Sequence, residues 1–417
     1  MKQLKELFGV SEAYRLPDKI MEALLSGDAE EIIKDVKNNT DCNIRDMFQQ
    51  EHGDRRELKQ DFTPDCVCTL VANLMVSGNF LDMCSGTGAL SKAAAKRLCA
   101  KICEQEFSER TIPFALLDAC INGMEGYISR ADCLRNKVLE TYRVERRGNI
   151  SVPRVTEKLK DDRKYDNVIM NPPYSMKFPD AGDYPMNGIV IPKSKADYGF
   201  LFRGIENLKE KGRLIAILPH GVLFRGMAER KAREYLIHNR MINAIIGLPD
   251  KLFMNTSIPV CLVIAERNSP NVLFINAEKK CIKKSSQNDM TEDQINTVTD
   301  LFYRRKEQDH ISHVATYEEI KKNDYNLNIQ RYVNTYEQEP LPDAHSILEE
   351  LEMIDREEQQ LKSELYRIMG ELTGSETDMR IVEKHRKIMK PKKINPEQTE
   401  QMELMDIYAD AMQTSEY

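Results

Sequence analysis

The sequence predicts an α/β protein built on a mostly parallel β-sheet with helices on both faces. Between residues 78 and 265, short apolar segments alternate with longer amphipathic ones, which is typical of strands and helices that follow one another along the chain. A glycine-rich segment follows the first predicted strand, and a rigid Pro-Pro segment follows the fourth. Open α/β sheets bind ligands at the carboxyl ends of their strands, so we expect both segments at the functional edge.

The composition is that of a soluble globular protein. The 417 residues include 60 Lys and Arg against 67 Asp and Glu, which gives a net charge of −7, and 41% are hydrophobic. No apolar run approaches the roughly 18 residues of a membrane span, so no membrane is expected. The ten cysteines form no CxxC pair, which argues against a metal site and indicates reduced thiols in a cytoplasmic protein. The acidic balance gives no global reason to expect nucleic acid.

The first predicted elements are helical. Residues 1–60 show apolar side chains at helical spacing and form an N-terminal helical segment. Residues 63–77 predict a further helix, with Thr63 as its N-cap and Pro64 in its first turn. One face of this helix is apolar, formed by Val67, Leu70, Val71 and Leu74.

The α/β pattern predicts a catalytic domain over residues 61–275. Helices are expected at 108–122 and 197–210, and residues 175–196 predict a long loop because they are rich in Pro, Gly and Lys. Seven segments predict strands: 79–84, 100–105, 127–131, 166–170, 213–218, 242–247 and 259–265.

The remaining chain divides into a mixed extension, residues 276–344, and a helical region, residues 345–417. Apolar residues alternate at spacings of four and three in the helical region, broken at Glu358, which predicts a short coiled-coil seam for a partner or an intramolecular hairpin. The seam consists of Ile347, Leu351, Ile354, Leu361, Leu365, Ile368 and Leu372. A basic stretch follows, with Arg380, Lys384, Arg386, Lys387, Lys390, Lys392 and Lys393.

The first chemical motif is FLDMCSGTGAL, residues 80–90. An apolar strand runs into Asp82, and a loop with Gly86 and Gly88 precedes a helix that starts near Ala89. Glycines let the backbone approach a ligand closely at this edge of the sheet. The loop lacks the spacing of a GxGxxG dinucleotide fingerprint and the GK[ST] of a P-loop, so nicotinamide and ATP are disfavoured.

The second motif is NPPY, Asn171–Pro172–Pro173–Tyr174, at the end of the strand YDNVIM. Two prolines stiffen the backbone, so that the Asn171 side chain and the Pro172 carbonyl can point to one spot. Two acceptors there can hold both hydrogens of an amino group and direct its lone pair at an electrophile. Tyr174 offers an aromatic face for a planar base. This arrangement predicts direct displacement, driven by positioning and electrostatics.

A glycine-rich first loop followed by NPPY resembles the S-adenosylmethionine-dependent amino-methyltransferases, especially the DNA adenine-N6 enzymes. Four more segments resemble the modification (M) subunit of type I restriction-modification systems, and the likeness spans roughly residues 60–335. They are QDFTPDCVCTLVANL (60–74), KADYGFLFRGIENLKEKGRLIAILPHGVLFRG (195–226), INAIIGLPDKLFMNTSIPVCLVIAER (242–267) and YNLNIQRYV (325–333). The resemblance implies a Rossmann-like methyltransferase core of about seven strands.

The resemblance also implies roles for individual residues. Asn171, Pro172, Pro173 and Tyr174 would be catalytic. Glu106 would hold the ribose hydroxyls, although the neighbouring Glu104 could replace it, and Asp132 would contact the adenine ring. The full set of implied cofactor-binding residues is Phe62, Thr63, Pro64, Asp82, Ser85, Gly86, Thr87, Gly88, Glu106, Asp132 and Asn171. His220 is expected to be structural or DNA-facing rather than catalytic.

By this resemblance the chain would transfer a methyl group from S-adenosylmethionine to N6 of an adenine flipped out of double-stranded DNA. A separate DNA-specificity subunit would bind the C-terminal helices, and a homodimer is a further arrangement. NPPY does not distinguish adenine from cytosine N4, an RNA base or a protein glutamine, since all present an amino or amide nitrogen. A catalytically inactive scaffold is a third hypothesis, disfavoured by the intact NPPY and SGTG segments.

Overall fold

A computed structural model describes residues 4–39, 44, 45, 48, 63–159, 163–178, 183, 184, 188–253, 258–283, 287–334 and 343–390. Two compact units divide the chain, Met1–Tyr336 and Glu337–Tyr417. The predicted division into four segments stays a prediction. None of the described helices is long and apolar enough to cross a membrane.

The helices of the first unit are α1 (Leu4–Leu7), α2 (Leu16–Leu24), α3 (Ala29–Asn39), α4 (Asp65–Leu74), α5 (Ala89–Leu98), α6 (Ile112–Ile121), α7 (Asp197–Glu206), α8 (Ala228–His238), α9 (Glu292–Arg304) and α10 (Tyr317–Lys322). The strands are β1 (Phe80–Met83), β2 (Ile102–Glu106), β3 (Gly126–Asp132), β4 (Lys137–Arg147), β5 (Ile150–Thr156), β6 (Tyr165–Met170), β7 (Asp183–Tyr184), β8 (Ile189–Val190), β9 (Leu208–Pro219), β10 (Ile242–Gly247), β11 (Val260–Glu266), β12 (Val272–Asn276) and β13 (Ser312–Ala315).

Eleven of the described strands form one sheet, in the order β13-β12-β10-β11-β9-β6-β1-β2-β3-β4-β5. Strands β3, β2, β1, β6 and β9 are parallel to their neighbours in this central series, and β11 runs antiparallel between β9 and β10. The parallel centre confirms the predicted fold class.

Both faces of the sheet are covered because its central strands are apolar on both sides. Within β1, Phe80 belongs to one hydrophobic cluster and Leu81 to the other. The strand β6 alternates in the same way, with Val168 and Ile169 in different clusters. Helices α4, α5, α6 and α9 cover the first face, and α7 and α8 cover the second. The N-terminal helices α2 and α3 add Leu16, Ile20, Leu24 and Ile33 to the first cluster.

All seven predicted strands are present, and the sheet contains four more, namely β4, β5, β12 and β13. The β4–β5 hairpin lies at one edge, where exposed and buried side chains mix. The predicted loop 175–196 contains the short pair β7 and β8. Helix α7 ends at Glu206 rather than at residue 210, because β9 begins at Leu208.

The prediction for the helix after residue 63 is wrong at its start. Helix α4 spans Asp65–Leu74 and its N-cap residue is Pro64, with no capping side chain. Thr63 is not the N-cap, because its hydroxyl accepts a hydrogen bond from the Asn171 side chain instead. A tertiary contact has therefore replaced the expected local one.

The described part of the second unit, residues 343–390, is a helical hairpin. Helix α11 spans Ala344–Glu371, and helix α12 spans Glu376–Ile388. A capping box formed by Ser375 and Asp378 begins α12. The Arg386 guanidinium lies 4.3 Å from the centre of the Tyr366 ring and joins the two helices. The predicted seam residues all lie on or directly after α11, and their side chains are 40–66% exposed.

Candidate active site

The glycine-rich loop and the NPPY segment lie side by side at the carboxyl edge of the sheet. They follow the adjacent parallel strands β1 and β6, whose last residues, Met83 and Met170, are paired. Between the two segments is a cavity of about 180 Å³. Topology thus brings together two motifs that are more than 80 residues apart in sequence.

The loop after β1 is held by main-chain contacts. The Ser85 amide donates to the Gln105 carbonyl at 3.0 Å, and the Gly86 amide donates to Glu106 Oε2 at 2.9 Å. Gly86 and Gly88 have φ angles of +58° and +84°, which side chains rarely adopt. A Cβ atom on Gly88 would also lie 3.1 Å from Glu104 Oε1. These glycines allow the tight turn into α5.

Glu106, at the end of β2, lines the cavity, whereas Glu104 lies behind the loop and does not. Glu106 accepts backbone N–H bonds from Gly86 and, at 2.8 Å, from Ser108. Burial raises the pKa of Glu106, and these N–H donors oppose that shift. The next residue, Phe107, also lines the cavity and is 53% exposed.

Asp132, at the end of β3, also lines the cavity. Its Oδ1 accepts the Arg135 amide at 3.1 Å, and its Oδ2 lies 2.7 Å from Arg135 Nη1. Three neighbouring residues, Ala131, Cys133 and Leu134, supply apolar or weakly polar surface. This wall combines an oriented carboxylate with space for a flat apolar group.

The NPPY segment forms a hydrogen-bonded chain with Thr63. Asn171 Nδ2 donates to Thr63 Oγ1 at 2.9 Å, and the Tyr174 hydroxyl donates to Asn171 Oδ1 at 2.8 Å. Tyr174 is largely buried. Pro172 and Pro173 complete this side of the cavity. The acceptor oxygen that would hold a target amino group is therefore occupied by the tyrosine hydroxyl in this conformation.

The structure brings most of the predicted site residues to one cavity. Those lining it are Thr63, Ser85, Gly86, Thr87, Glu106, Asp132, Asn171, Pro172, Pro173 and Tyr174. Pro64, Asp82 and Gly88 do not line it, and Phe62 is outside the described residues. Asp82 is fully buried beneath the loop, where its Oδ2 accepts the Ser91 amide and hydroxyl at 3.0 and 2.9 Å.

Several lining residues were not predicted from the sequence. They are Cys84, Ala89, Leu90, Phe107, Ala131, Cys133, Leu134, Arg135, Met176, Lys177, Phe178 and Phe200. Phe107 carried a usable signal, because an aromatic residue directly after a strand-ending acid is placed at the functional edge. Phe200 gave no such signal, since it lies within α7 at a position typical of a core residue.

Asp82 gives the first testable prediction. Burial raises the pKa of Asp82 to about 7 from 3.8, opposed by hydrogen bonds from Ser91. Between these pH values the folded protein keeps a proton that the unfolded chain has lost, so the free energy of unfolding falls as the pH rises from about 4 to about 7. A pKa change of this size corresponds to about 4 kcal/mol.

We expect Asp82→Asn, which resembles the protonated acid, to nearly match the original protein at about pH 3.5, where Asp82 is largely protonated in the unfolded chain as well, and to be the more stable of the two at about pH 8. Urea unfolding at both pH values measures this difference. Asp309→Asn, at an exposed loop position, is the control. Equal pH dependence with and without the Asp82 substitution would contradict the raised pKa.

His220 lies outside this cavity. Its backbone N–H donates to the Pro259 carbonyl at 2.9 Å, and Nε2 is 3.1 Å from the Val260 carbonyl. Burial lowers the pKa of His220, so the ring stays neutral at neutral pH. These contacts support the expected structural role. The described residues contain no group of side chains that could hold a metal ion.

Known proteins share parts of this sequence and of this fold. The sequence model for N-6 DNA methylases matches residues 46–340. The chain belongs to the N-6 DNA methylase family. The methyltransferase subunit of a type I restriction-modification system from Streptococcus thermophilus, known from its crystal structure, is 33% identical to this chain. The two superpose with a TM-score of 0.57 over 66% of this chain and 59% of that one.

Two curated methylase subunits of type I restriction enzymes are similar to this chain at lower identity. The MpnII subunit of Mycoplasma pneumoniae is 24% identical over 351 residues, 76% of this chain. The MjaVIII subunit of Methanocaldococcus jannaschii is 26% identical over 325 residues, 71% of this chain. The alignments span 62% and 53% of those two relatives. The family match confirms the predicted resemblance to N-6 DNA methylases, and the sheet confirms the predicted α/β fold class.

Proposed function

We propose that the chain transfers a methyl group from S-adenosylmethionine to N6 of an adenine flipped out of double-stranded DNA. The observation that carries the proposal is the shared cavity, which joins the glycine-rich loop, two strand-ending carboxylates and NPPY. A base within a duplex cannot reach a cavity at the edge of a sheet, so the adenine has to leave the helix.

The residues of the cavity fit S-adenosylmethionine. The Thr87 hydroxyl is buried at the cavity wall without a hydrogen-bond partner among the described residues. Glu106 would accept the ribose hydroxyls, and Asp132 with the apolar wall beside it would hold the adenine ring. Thr63 and the loop 85–87 would surround the methionine end. When bound, the cofactor supplies an electrophilic methyl group on a sulfonium.

NPPY would hold the target amino group. Asn171 Oδ1 and the Pro172 carbonyl would accept its two hydrogens, so that the nitrogen lone pair is directed at the methyl carbon. Because Tyr174 now donates to Asn171 Oδ1, the tyrosine has to turn away when the base binds. Its ring is then available to stack on the base. In the displacement the bond between the methyl carbon and sulfur would break, leaving its electron pair on sulfur, as the N–C bond forms, and the nitrogen would then release a proton to water.

Methylation with labelled cofactor tests this proposal. The chain, with and without a specificity partner, is incubated with DNA, RNA and protein substrates, and the methylated product is identified after hydrolysis. N6-methyladenine in DNA is the expected product. If the product is N4-methylcytosine, a methylated RNA base or methylglutamine instead, the substrate is not adenine in DNA. If the folded chain binds no cofactor, the protein is a scaffold.

We also propose that a separate DNA-specificity subunit binds the second unit, although a homodimer is a competing arrangement. The seam on α11 stays exposed even though α11 and α12 form a hairpin. A net charge of −7 gives little attraction for phosphates, so tight DNA binding needs local basic patches or a partner.

Carboxylates on the seam should weaken partner binding. We expect Ile354→Glu with Leu361→Glu to weaken association at least about 30-fold, since an apolar contact would become a buried charge. Analytical ultracentrifugation with the specificity subunit measures it, and Met353→Glu, exposed beside the seam, is the matched control. Unchanged affinity of the double variant would place the interface elsewhere, and loss of self-association would instead indicate the homodimer.

A further inference from the structure

Four charged side chains, three of them buried, lie next to the turn that follows NPPY. They form what we term the charge cluster: Asp197, Glu229 and Arg233, which are buried, and Arg225, whose side chain is 20% exposed. Two are carboxylates and two are guanidinium groups, so their formal charges cancel. The chemistry proposed above does not use any of them. Their contacts nevertheless reach the residue that directly follows Tyr174.

Asp197, at the start of α7, binds the turn itself. Its Oδ1 accepts the Ser175 amide at 2.8 Å, and Oδ2 lies 3.5 Å from the Ser175 hydroxyl. Ser175 has a φ of +50°, a left-handed conformation that is unfavourable for a residue with a Cβ. The Asp197 carboxylate therefore stabilises a strained reversal of the chain immediately after Tyr174.

Arg225 connects this aspartate to a second loop. Its Nη2 donates to Asp197 Oδ2, and the same guanidinium holds Glu229 through Nε and, at 2.9 Å, through Nη2. Arg225 follows β9, the parallel neighbour of β6, so the loops from two adjacent strands are joined by one ion pair. Phe224 and Met227, on either side of Arg225 in this loop, are exposed.

Arg233 fixes the position of the loop that carries Arg225. Its guanidinium donates to three backbone carbonyls, those of Tyr325 at 2.8 Å, Val222 at 2.9 Å and Arg225 at 2.7 Å. The Tyr198 hydroxyl donates to the same Val222 carbonyl at 2.9 Å. The main chain that carries Arg225 is thereby held from two helices.

Such a cluster is a costly way to gain stability. Buried ion pairs rarely stabilise a protein more than apolar residues of similar volume do, because each charge has to be removed from water. They do impose direction, since a carboxylate accepts and a guanidinium donates only in defined geometries. Here the direction is imposed on a strained turn beside the proposed catalytic residues.

We infer that Asp197 and Arg225 are positioning residues, which set the turn at Ser175 and thereby the orientation of Tyr174 over the target base. The inference rests on the proposed function for its kinetic consequence. Its structural consequence, a main chain at Tyr174 that the turn at Ser175 fixes while the side chain can still turn, stands apart from the substrate.

A fluorescence experiment tests the structural consequence. The chain contains no tryptophan, so Tyr174→Trp introduces a single reporter at this position. In that background, Asp197→Asn keeps an acceptor for Ser175 but turns an amide NH₂ toward Arg225, which offers only donors. Arg225→Lys keeps the charge and loses the two-pronged geometry. We expect both to shift the emission to longer wavelength and to increase quenching by acrylamide.

Kinetic measurements test the functional consequence. Here the variants keep Tyr174 instead of tryptophan, and DNA and the specificity partner are present. We expect Asp197→Asn to lower kcat about 100-fold and Arg225→Lys about 10-fold, with the dissociation constant for the cofactor unchanged. The control is Asp324→Asn, which breaks the exposed pair between Asp324 and Arg230 of α8. Its emission and kcat should match those of the parent.

The two proposals fail in different ways. If either cluster variant folds and keeps both the emission and the kcat of its parent, the positioning role is wrong. If the unaltered chain neither binds the cofactor nor methylates any substrate, the proposed function is wrong, and the fluorescence measurement still decides the role of the cluster.

Discussion

Asn171→Ala should lower methyl transfer about 1000-fold while the protein remains folded and binds the cofactor. The substitution removes the acceptor Oδ1, which is proposed to hold the target amino group, together with the donor to Thr63. Removal of one precisely placed polar group at a reacting centre typically costs 100- to 1000-fold in rate. Single-turnover transfer of labelled methyl to DNA measures the chemical step directly.

Two further variants make this test specific. Asn171→Asp keeps an oxygen acceptor and should retain a larger share of the rate than alanine does. Asn239→Ala removes an asparagine whose side-chain amide donates to the Tyr235 carbonyl of its own helix end, and it should leave transfer unchanged. Full activity of Asn171→Ala would refute the proposed role of NPPY, whatever the substrate.

Several of the strands that the sequence predicted are buried along nearly their whole length. In β1, β6, β10 and β11 nearly every residue is buried, so each appears in the sequence as a mostly apolar segment, although the equally buried β12 was missed. The hairpin strand β4 has exposed charged residues along much of its length. Its pairing with β3 depends on a tertiary neighbour, and no local apolar run marks it.

The site was predictable where its residues directly follow the end of a strand. NPPY and the SGTG loop each come directly after an apolar run, and parallel strands place such ends together. The role of Thr63 was not predictable in the same way. The sequence around it fits a helix cap, and only the fold brings Asn171 within hydrogen-bond distance. The Asp197 contact to Ser175 likewise depends on how α7 packs.

Glu106 and Glu104 present a choice that the sequence left open and that substitution can decide. Both are buried at the end of β2, but only Glu106 lines the cavity. Burial and the nearby Asp82 carboxyl raise the pKa of Glu104 well above its usual range and so favour its protonated form. Glutamine is then a close substitute for Glu104.

We therefore expect Glu106→Gln to weaken binding of S-adenosylmethionine roughly 10- to 100-fold, and Glu104→Gln to change it little. The Glu106 carboxylate would accept two ribose hydroxyls, and a hydrogen bond to a charged group contributes about 1.5–3 kcal/mol. Glutamine keeps the shape of the side chain but offers one acceptor oxygen instead of two. Isothermal titration calorimetry on both variants measures the effect.

The paired design separates binding from loop stability. Because Glu106 also accepts the Gly86 and Ser108 amides, its substitution could loosen the loop as well as remove a ligand contact. Adenosine, which carries the ribose and the base without the methionine, isolates the ribose contact. If adenosine and the full cofactor lose the same factor in Glu106→Gln, the carboxylate acts on the ribose. If Glu104→Gln shows the larger loss, the assignment of Glu106 is wrong and the cofactor lies deeper beneath the loop.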